Sequence, residues 1–210
     1  IAEEVENIGG KILLSSEVIS FKRSKDIIEA VEVKAGQNVM RFTADAYVNT
    51  IPITHVVERL TPPPPKEVVS ASKKLKFRAE AQVTLFINKA NITPDVWIYV
   101  HPKDIVFMRF MEMDNWSGAL QPKGKTAIVF EIACSQGDAM WQKSDKELIE
   151  LVKRDYINEF KLVDEKDILG GFVHRVPHEY PVYNVGYEKH LGIIKSYLSF
   201  CSYIYSKTSA

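Results

Sequence analysis

Five histidines (His55, His101, His174, His178, His190) and two cysteines (Cys134, Cys201) are the residues of this chain best suited to metal or nucleophilic chemistry. Their spacing supports neither. The cysteines are far apart and form no CxxC, and the histidines share no ligand spacing with them. His174 and His178 are four apart, but Pro177 breaks a stretch that reads as strand, so they do not line a helix face. No metal site is expected. A glycine-rich phosphate loop, a GxGxxG, an HExxH and a nucleophile elbow are all absent. What remains is aromatic. Trp116 lies in the loop DNWSGALQPKG, where it suits either the floor of a ligand cavity or an anchor over a sheet edge. Glu179 to Tyr187 holds Tyr180, Tyr183 and Tyr187 between a strand and a helix. Such residues wall a flat apolar substrate or simply pack a crossover. Arg78, Arg109 and Arg175 fall on separate expected strands. If they converged they would suit a diphosphate, though each also suits an ion pair.

The elements that must position these residues follow from periodicity. Residues 1–8 read as an amphipathic helix ended by Gly9-Gly10. Residues 11–43 read as short strands joined by tight turns: 11–15, 17–22, 26–34 and 39–43. This meander is too small to bury a core alone. The stretch ADAYVNTIPITHVV (44–57) reads as a strand entering a proline turn that opens a helix, with Pro52 in the first turn. It is either a seam between two domains or an ordinary strand-to-helix junction. Four prolines (62–65) form a stiff spacer before a helix over 66–75. Strands are expected over 77–87, 95–100, 105–111, 125–133 and 172–180, with 125–133 central because both faces are apolar. Helices are expected over 145–160, with Ser144 as N-cap, and over 186–200. The fold class is therefore α+β: a mostly antiparallel sheet with helices on one side, plus the small β-meander.

Composition sets outer limits. The 210 residues carry no formal net charge, 46% hydrophobic and 26% charged residues, as in ordinary globular proteins. The charge balance argues against nucleic acid as a partner. The two isolated cysteines suit a reducing compartment, and the expected location is cytoplasmic. No run of eighteen apolar residues suggests a membrane span, and no apolar leader opens the chain. Starting on Ile1 without Met, the chain reads as an internal piece of a longer protein.

Three stretches carry a family resemblance: IAEEVENIGGKILLSSEVISF, ADAYVNTIP and YPVYNVGYEKHLGIIKSYL, with DNWSGALQPKGKTAIVFEI in support. They resemble the flavin-dependent amine oxidase, protoporphyrinogen oxidase and phytoene desaturase-like superfamily, to which UDP-galactopyranose mutase is related. The resemblance spans nearly all of residues 1–200. It implies FAD as the cofactor of the longer protein, with the flavin taking hydride and the protein positioning the substrate. It places the backbone of Val18 against the adenine, and Thr50, Ile51 and Pro52 close to the cofactor. Trp116, Tyr180 and Tyr183 fall in the substrate domain, without a defined catalytic role. The implied organisation is a remnant of an FAD domain over 1–52 and a substrate-binding domain over 53–210. The GxGxxG strand and helix are missing, and the end CSYIYSKTSA departs from the family's last glycine-rich loop. Hydride transfer from an apolar or amine-type small molecule is the implied activity. A flavin-free binding module and a redox-neutral mutase are the alternatives. The resemblance leaves room for a homodimer and for peripheral membrane contact.

Overall fold

The computed structural model describes residues 1–25, 27–120 and 122–199. The described residues form two compact units, one of residues 1–76 with 183–199 and one of residues 77–182. The boundary expected at 52/53 lies inside the first unit, and the chain crosses between units at 76/77 and 182/183.

The first unit begins with helix α1 (Ala2–Asn7), closed at Gly9 with φ 86°. Strands β1 (Ser16–Ser24), β2 (Ile27–Ala35) and β3 (Asn38–Phe42) form the expected antiparallel meander. Residues 11–15, expected as a strand, precede β1 without regular structure. A two-residue strand, β4 (Leu60–Thr61), pairs parallel with β1 and completes the sheet order β3-β2-β1-β4. Between them, residues 44–50 are not a strand. Among the described residues this segment has no ladder partner, and side chains hold it instead. The Ala44 N–H donates to the Tyr47 hydroxyl, which donates to the Glu29 carbonyl, and Asn49 Nδ2 donates to the Ile51 carbonyl. Pro52 does open a helix, α2 (Ile53–Arg59), and the proline spacer ends at α3 (Lys66–Ser72). Helix α5 (Tyr187–Leu198) returns to this unit; the expected helix end at residue 200 lies outside the described residues. Phe21, Val31, Val33, Val56, Val57, Val68 and Ile194 share its core. The meander thus acquires the apolar cover it cannot supply itself.

The second unit holds β5 (Lys76–Ile87), β6 (Ile98–Tyr99), β7 (Arg109–Glu112), β8 (Thr126–Cys134) and β9 (Ile168–Val182), in the order β6-β7-β8-β5-β9. The three pairings β5–β8, β6–β7 and β7–β8 are antiparallel, and β8 is central as its composition requires. The hairpin expected over 95–111 is shorter than its sequence pattern, with only two paired residues in β6. Strand alternation divides the faces: Ala79, Ala81, Val83, Leu85 and Ile87 meet Ile128, Phe130 and Ile132 on one face. Helix α4 (Asp145–Asp155) covers that face through Leu148 and Val152, and Tyr156 in the following π-turn (Tyr156–Phe160) stacks edge-on against Phe110 and Phe130. Ser144 caps α4 in a complete capping box with Glu147. Helix α5, expected on this sheet, belongs to the first unit's core instead, where with α3 its apolar residues meet Val56, Val57 and Phe21.

Gly171 permits the approach of β9 to β5. A Cβ there would lie 2.4 Å from the Thr84 carbonyl oxygen and 3.1 Å from Leu85 Cδ2. Gly171→Ala is therefore expected to lower stability by about 1–3 kcal/mol in urea unfolding, because backbone has to move. Gly118→Ala, which meets nothing within 4 Å, serves as the control.

Candidate functional site

The second face of the five-stranded sheet carries no helix of its own unit among the described residues. It gathers Tyr99 from β6, Arg109 from β7, Glu131 from β8, Glu80 and Gln82 from β5, and Tyr180 from β9. Register sets their neighbourhood. Arg109 lies opposite Glu131, Glu131 opposite Gln82, and Glu80 opposite Ala133, so Glu80 and Glu131 are diagonal neighbours.

Arg109 organises the cluster. Its Nε donates to Glu131 Oε2 at 2.7 Å, its Nη1 to the Tyr99 hydroxyl at 3.2 Å and its Nη2 to the Tyr180 hydroxyl at 3.4 Å. Its guanidinium also sits 5.5 Å from the ring centres of both Trp97 and Tyr99, a cation–π arrangement. Burial works against this charge, but the bonds to Glu131, Tyr180 and Tyr99 outweigh it and hold the guanidinium above its ordinary pKa. Glu80 differs. Gln82 Nε2 donates to its Oε1 at 2.8 Å, while its buried Oε2 has no partner. Burial, reinforced by the charges of Glu131 and Glu179 and opposed by Gln82 and Arg109, pushes its pKa to about 7. The cluster is layered. Tyr99 and Tyr180 are 64% and 45% exposed, whereas Glu80 and Glu131 are each 2% exposed.

The rim of this face is held from the core side. Glu112, fully buried, accepts the backbone N–H groups of Ile92 and Thr93. Asn115 Nδ2 donates to the carbonyls of Thr93 and Asp95. These bonds fix the irregular segment before β6 and the short 3₁₀ turn Met113–Asn115, and so set Trp97 against Trp116 at 4.7 Å, edge to face. Phe86 and Phe172 meet at 5.9 Å on β5 and β9.

Of the residues singled out in sequence, Trp116 and Tyr180 come to this face, Trp116 through Trp97 and Tyr180 through Arg109. Tyr183 belongs to the first unit and packs against Tyr187 at 4.8 Å. Val18 and Ile51 both border the first unit's core, Thr50 is exposed, and Pro52 precedes α2. The three arginines have separate partners: Arg78 the Ser135 hydroxyl, Arg109 Glu131, and Arg175 the carboxylate of Asp145 with the carbonyls of Trp141 and Lys143. Glu80, Arg109, Glu131, Trp97 and Tyr99 did not stand out together in sequence because they come from separate segments. The available signal was an acid inside an otherwise apolar strand, twice: Glu80 in RAEAQVTLFI and Glu131 in TAIVFEIAC. No group of three or more His, Cys, Asp or Glu residues able to hold a metal exists among the described residues, and no helix among them is long and apolar enough to cross a membrane.

A two-unit α+β chain whose five-stranded sheet carries an aromatic-rimmed polar cluster on one face is the class that this structure defines. Residues 1–187 match the sequence model of the flavin containing amine oxidoreductases, and the chain belongs to that family. Among solved structures it is similar to a reduced UDP-galactopyranose mutase (TM-score 0.75, 15% identity, 97% of this chain and 42% of that one). It is also similar to a protein assigned as a protoporphyrinogen oxidase from Exiguobacterium sp. 255-15 (TM-score 0.65, 18% identity, 97% and 44%). A third is an oxidoreductase from Methanosarcina mazei (TM-score 0.59, 14% identity, 83% and 40%). The chain thus spans less than half the length of each of these proteins. No match was found among curated proteins.

Two consequences are measurable. Removing the Arg109 side chain strands Glu131 as an unpaired, buried carboxylate, so Arg109→Ala is expected to cost about 3–5 kcal/mol in denaturant unfolding. Glu80 binds its proton more tightly folded than unfolded, so its contribution to stability is greatest below about pH 4.5 and falls as pH rises to about 7. Glu80→Gln should therefore gain about 1–2 kcal/mol on the native chain above neutral pH, and little in acid, by thermal unfolding at both pH values.

Proposed function

We propose that this chain is the substrate-binding portion of an FAD-dependent oxidoreductase, and that its substrate, an apolar or amine-type small molecule, lies on the face of the five-stranded sheet opposite α4. The observation that carries the reading is the layered cluster on that face. Exposed rings of Trp97, Tyr99, Trp116 and Tyr180 surround one half-buried arginine that bonds Glu131, Tyr99 and Tyr180. Such rings offer apolar contact area at little entropic cost, and the buried ion pair fixes the orientation of the two phenols that Arg109 bridges.

Family membership supports FAD as the cofactor of the longer protein. The residues of this chain fit only one flank of such a site. Val18 lies beside an irregularity in the β1–β2 register, between Val18 and Ser20, and Thr50 to Pro52 form an irregular stretch, bent at Ile51, that leads into α2. Neither segment supplies the glycine-rich turn and helix that cradle a pyrophosphate. FAD, bound by the longer protein, supplies the hydride acceptor. The aromatic rim would hold the substrate body, and Arg109 would keep Tyr99 and Tyr180 in place. Both roles are positional. The separate partners of Arg78, Arg109 and Arg175 favour this reading over a diphosphate-binding mutase.

The test is a visible absorbance spectrum of the native-length protein, beside the 210-residue chain titrated with FAD. Flavin bands in the longer protein and none in the chain are the expected result. A longer protein purified natively without flavin would overturn the reading and leave a flavin-free binding module.

A further inference from the structure

Beneath the exposed phenols, one carboxyl has no cation of its own. Arg109 gives its Nε to Glu131, its Nη1 to Tyr99 and its Nη2 to both Glu131 and Tyr180, and no hydrogen bond or ion pair joins it to Glu80 among the described residues. Glu80 keeps one oxygen on Gln82 and leaves the other buried and unpartnered, an arrangement costly for a carboxylate and far less so for a neutral acid.

We propose that Glu80 is a specificity-setting positioning residue: its carboxyl, buried beside the Arg109–Glu131 pair, decides whether this face accepts a flat apolar ligand that carries a negative group. The proposal rests on the reading that this face holds the ligand, and deepens it by naming what the site admits.

The charge arithmetic is local. With Glu80 protonated, Glu131 alone balances Arg109. With Glu80 ionised, a second negative charge lies diagonally from Glu131 on the adjacent strand. Among the described residues, the other charged or titratable groups near it are His178, Glu179 and Tyr180 on β9, Tyr99 on β6, Arg109 and Glu131 themselves, and Arg78 two residues away on its own strand, where Gln82 is neutral. Whatever balance these groups set, ionisation of Glu80 makes the cluster one charge more negative. The pKa of about 7 sets this change near neutrality. An anionic ligand seated on Tyr99, Tyr180 and Trp97 then meets one further negative charge beneath it, worth about fivefold to tenfold in affinity.

The test uses the native-length protein and its Glu80→Gln variant, with naphthoate as the anionic probe and acetonaphthone as the neutral one, followed by tryptophan fluorescence quenching. Naphthoate itself stays ionised from about pH 5.5 to about pH 8.5, so any change belongs to the protein. In the native protein naphthoate should bind about fivefold to tenfold more weakly at the higher pH, and acetonaphthone equally at both. In Glu80→Gln the naphthoate dependence should vanish with its affinity held at the low-pH value. A merely structural Glu80 would shift affinity at every pH and leave the profile unchanged. An unchanged slope in Glu80→Gln, a flat profile in the native protein, or no naphthoate binding at either pH would each overturn the proposal. An infrared difference spectrum between the two proteins gives a second readout, since a protonated-carboxyl band must fade as pH rises. Its absence in acid also overturns the proposal. Flavin content separates the two readings: a flavin-free protein with pH-dependent naphthoate binding keeps this one, and a flavoprotein with flat binding keeps only the other.

Discussion

The pairing of Arg109 with Glu131 is the interaction on which the second unit's open face depends. Two charges on the central and neighbouring strands are withdrawn from water, and the cost of doing so is offset only while both partners and their remaining hydrogen-bonding capacity are used. Tyr99 and Tyr180 meet that need from opposite edges of the sheet. The two edge strands are thus tied through one guanidinium, and the aromatic rim inherits its geometry from an electrostatic requirement. The opposite face needs no such device, because α4 and the Phe107, Phe110, Phe130 and Tyr156 rings pack it as ordinary apolar core.

Polar groups also shape the core side. Glu112 points into the apolar layer, yet it is satisfied by two backbone donors from an irregular segment that no ladder supports. The Tyr156 hydroxyl, in the same layer, has no partner, and burial together with the charge of Glu112 raises its pKa well above that of an ordinary phenol. A core that keeps such groups anchors loops as well as filling space. Here the anchored loops carry Trp97 and Trp116.

Alternation made the long strands legible before any coordinates. The apolar side of β5 and both sides of β8 are written plainly in residues 77–87 and 125–133, and Ser144 with Glu147 marks the start of α4. Residues 44–50 misled because alternation reports a face and not a partner, and a strand exists only where another strand accepts its hydrogen bonds. Helices α3 and α5 were legible as amphipathic, but their pattern does not say which sheet they cover. The candidate face escaped for a related reason. Glu80, Arg109 and Glu131 come from three separate segments, and only the register of three strands makes them one group. Trp116 and Tyr180 were picked out as aromatic residues in a loop and between a strand and a helix, and the structure sets Trp116 against Trp97 and Tyr180 against Arg109.

The interrupted path of the chain has a consequence during synthesis. Residues 77–182 leave the ribosome as one continuous stretch, with every strand of their sheet and its covering helix present before α5 begins. The first unit has no such freedom. Its core includes Ile194 and Leu198, so the meander and α2 and α3 wait with part of their apolar surface uncovered until more than a hundred further residues have been translated. The later-encoded unit is thus able to fold before the one that starts the chain. A nascent chain stalled after residue 182 would hold a finished sheet tethered to an unfinished partner, the state in which a chaperone has most to protect.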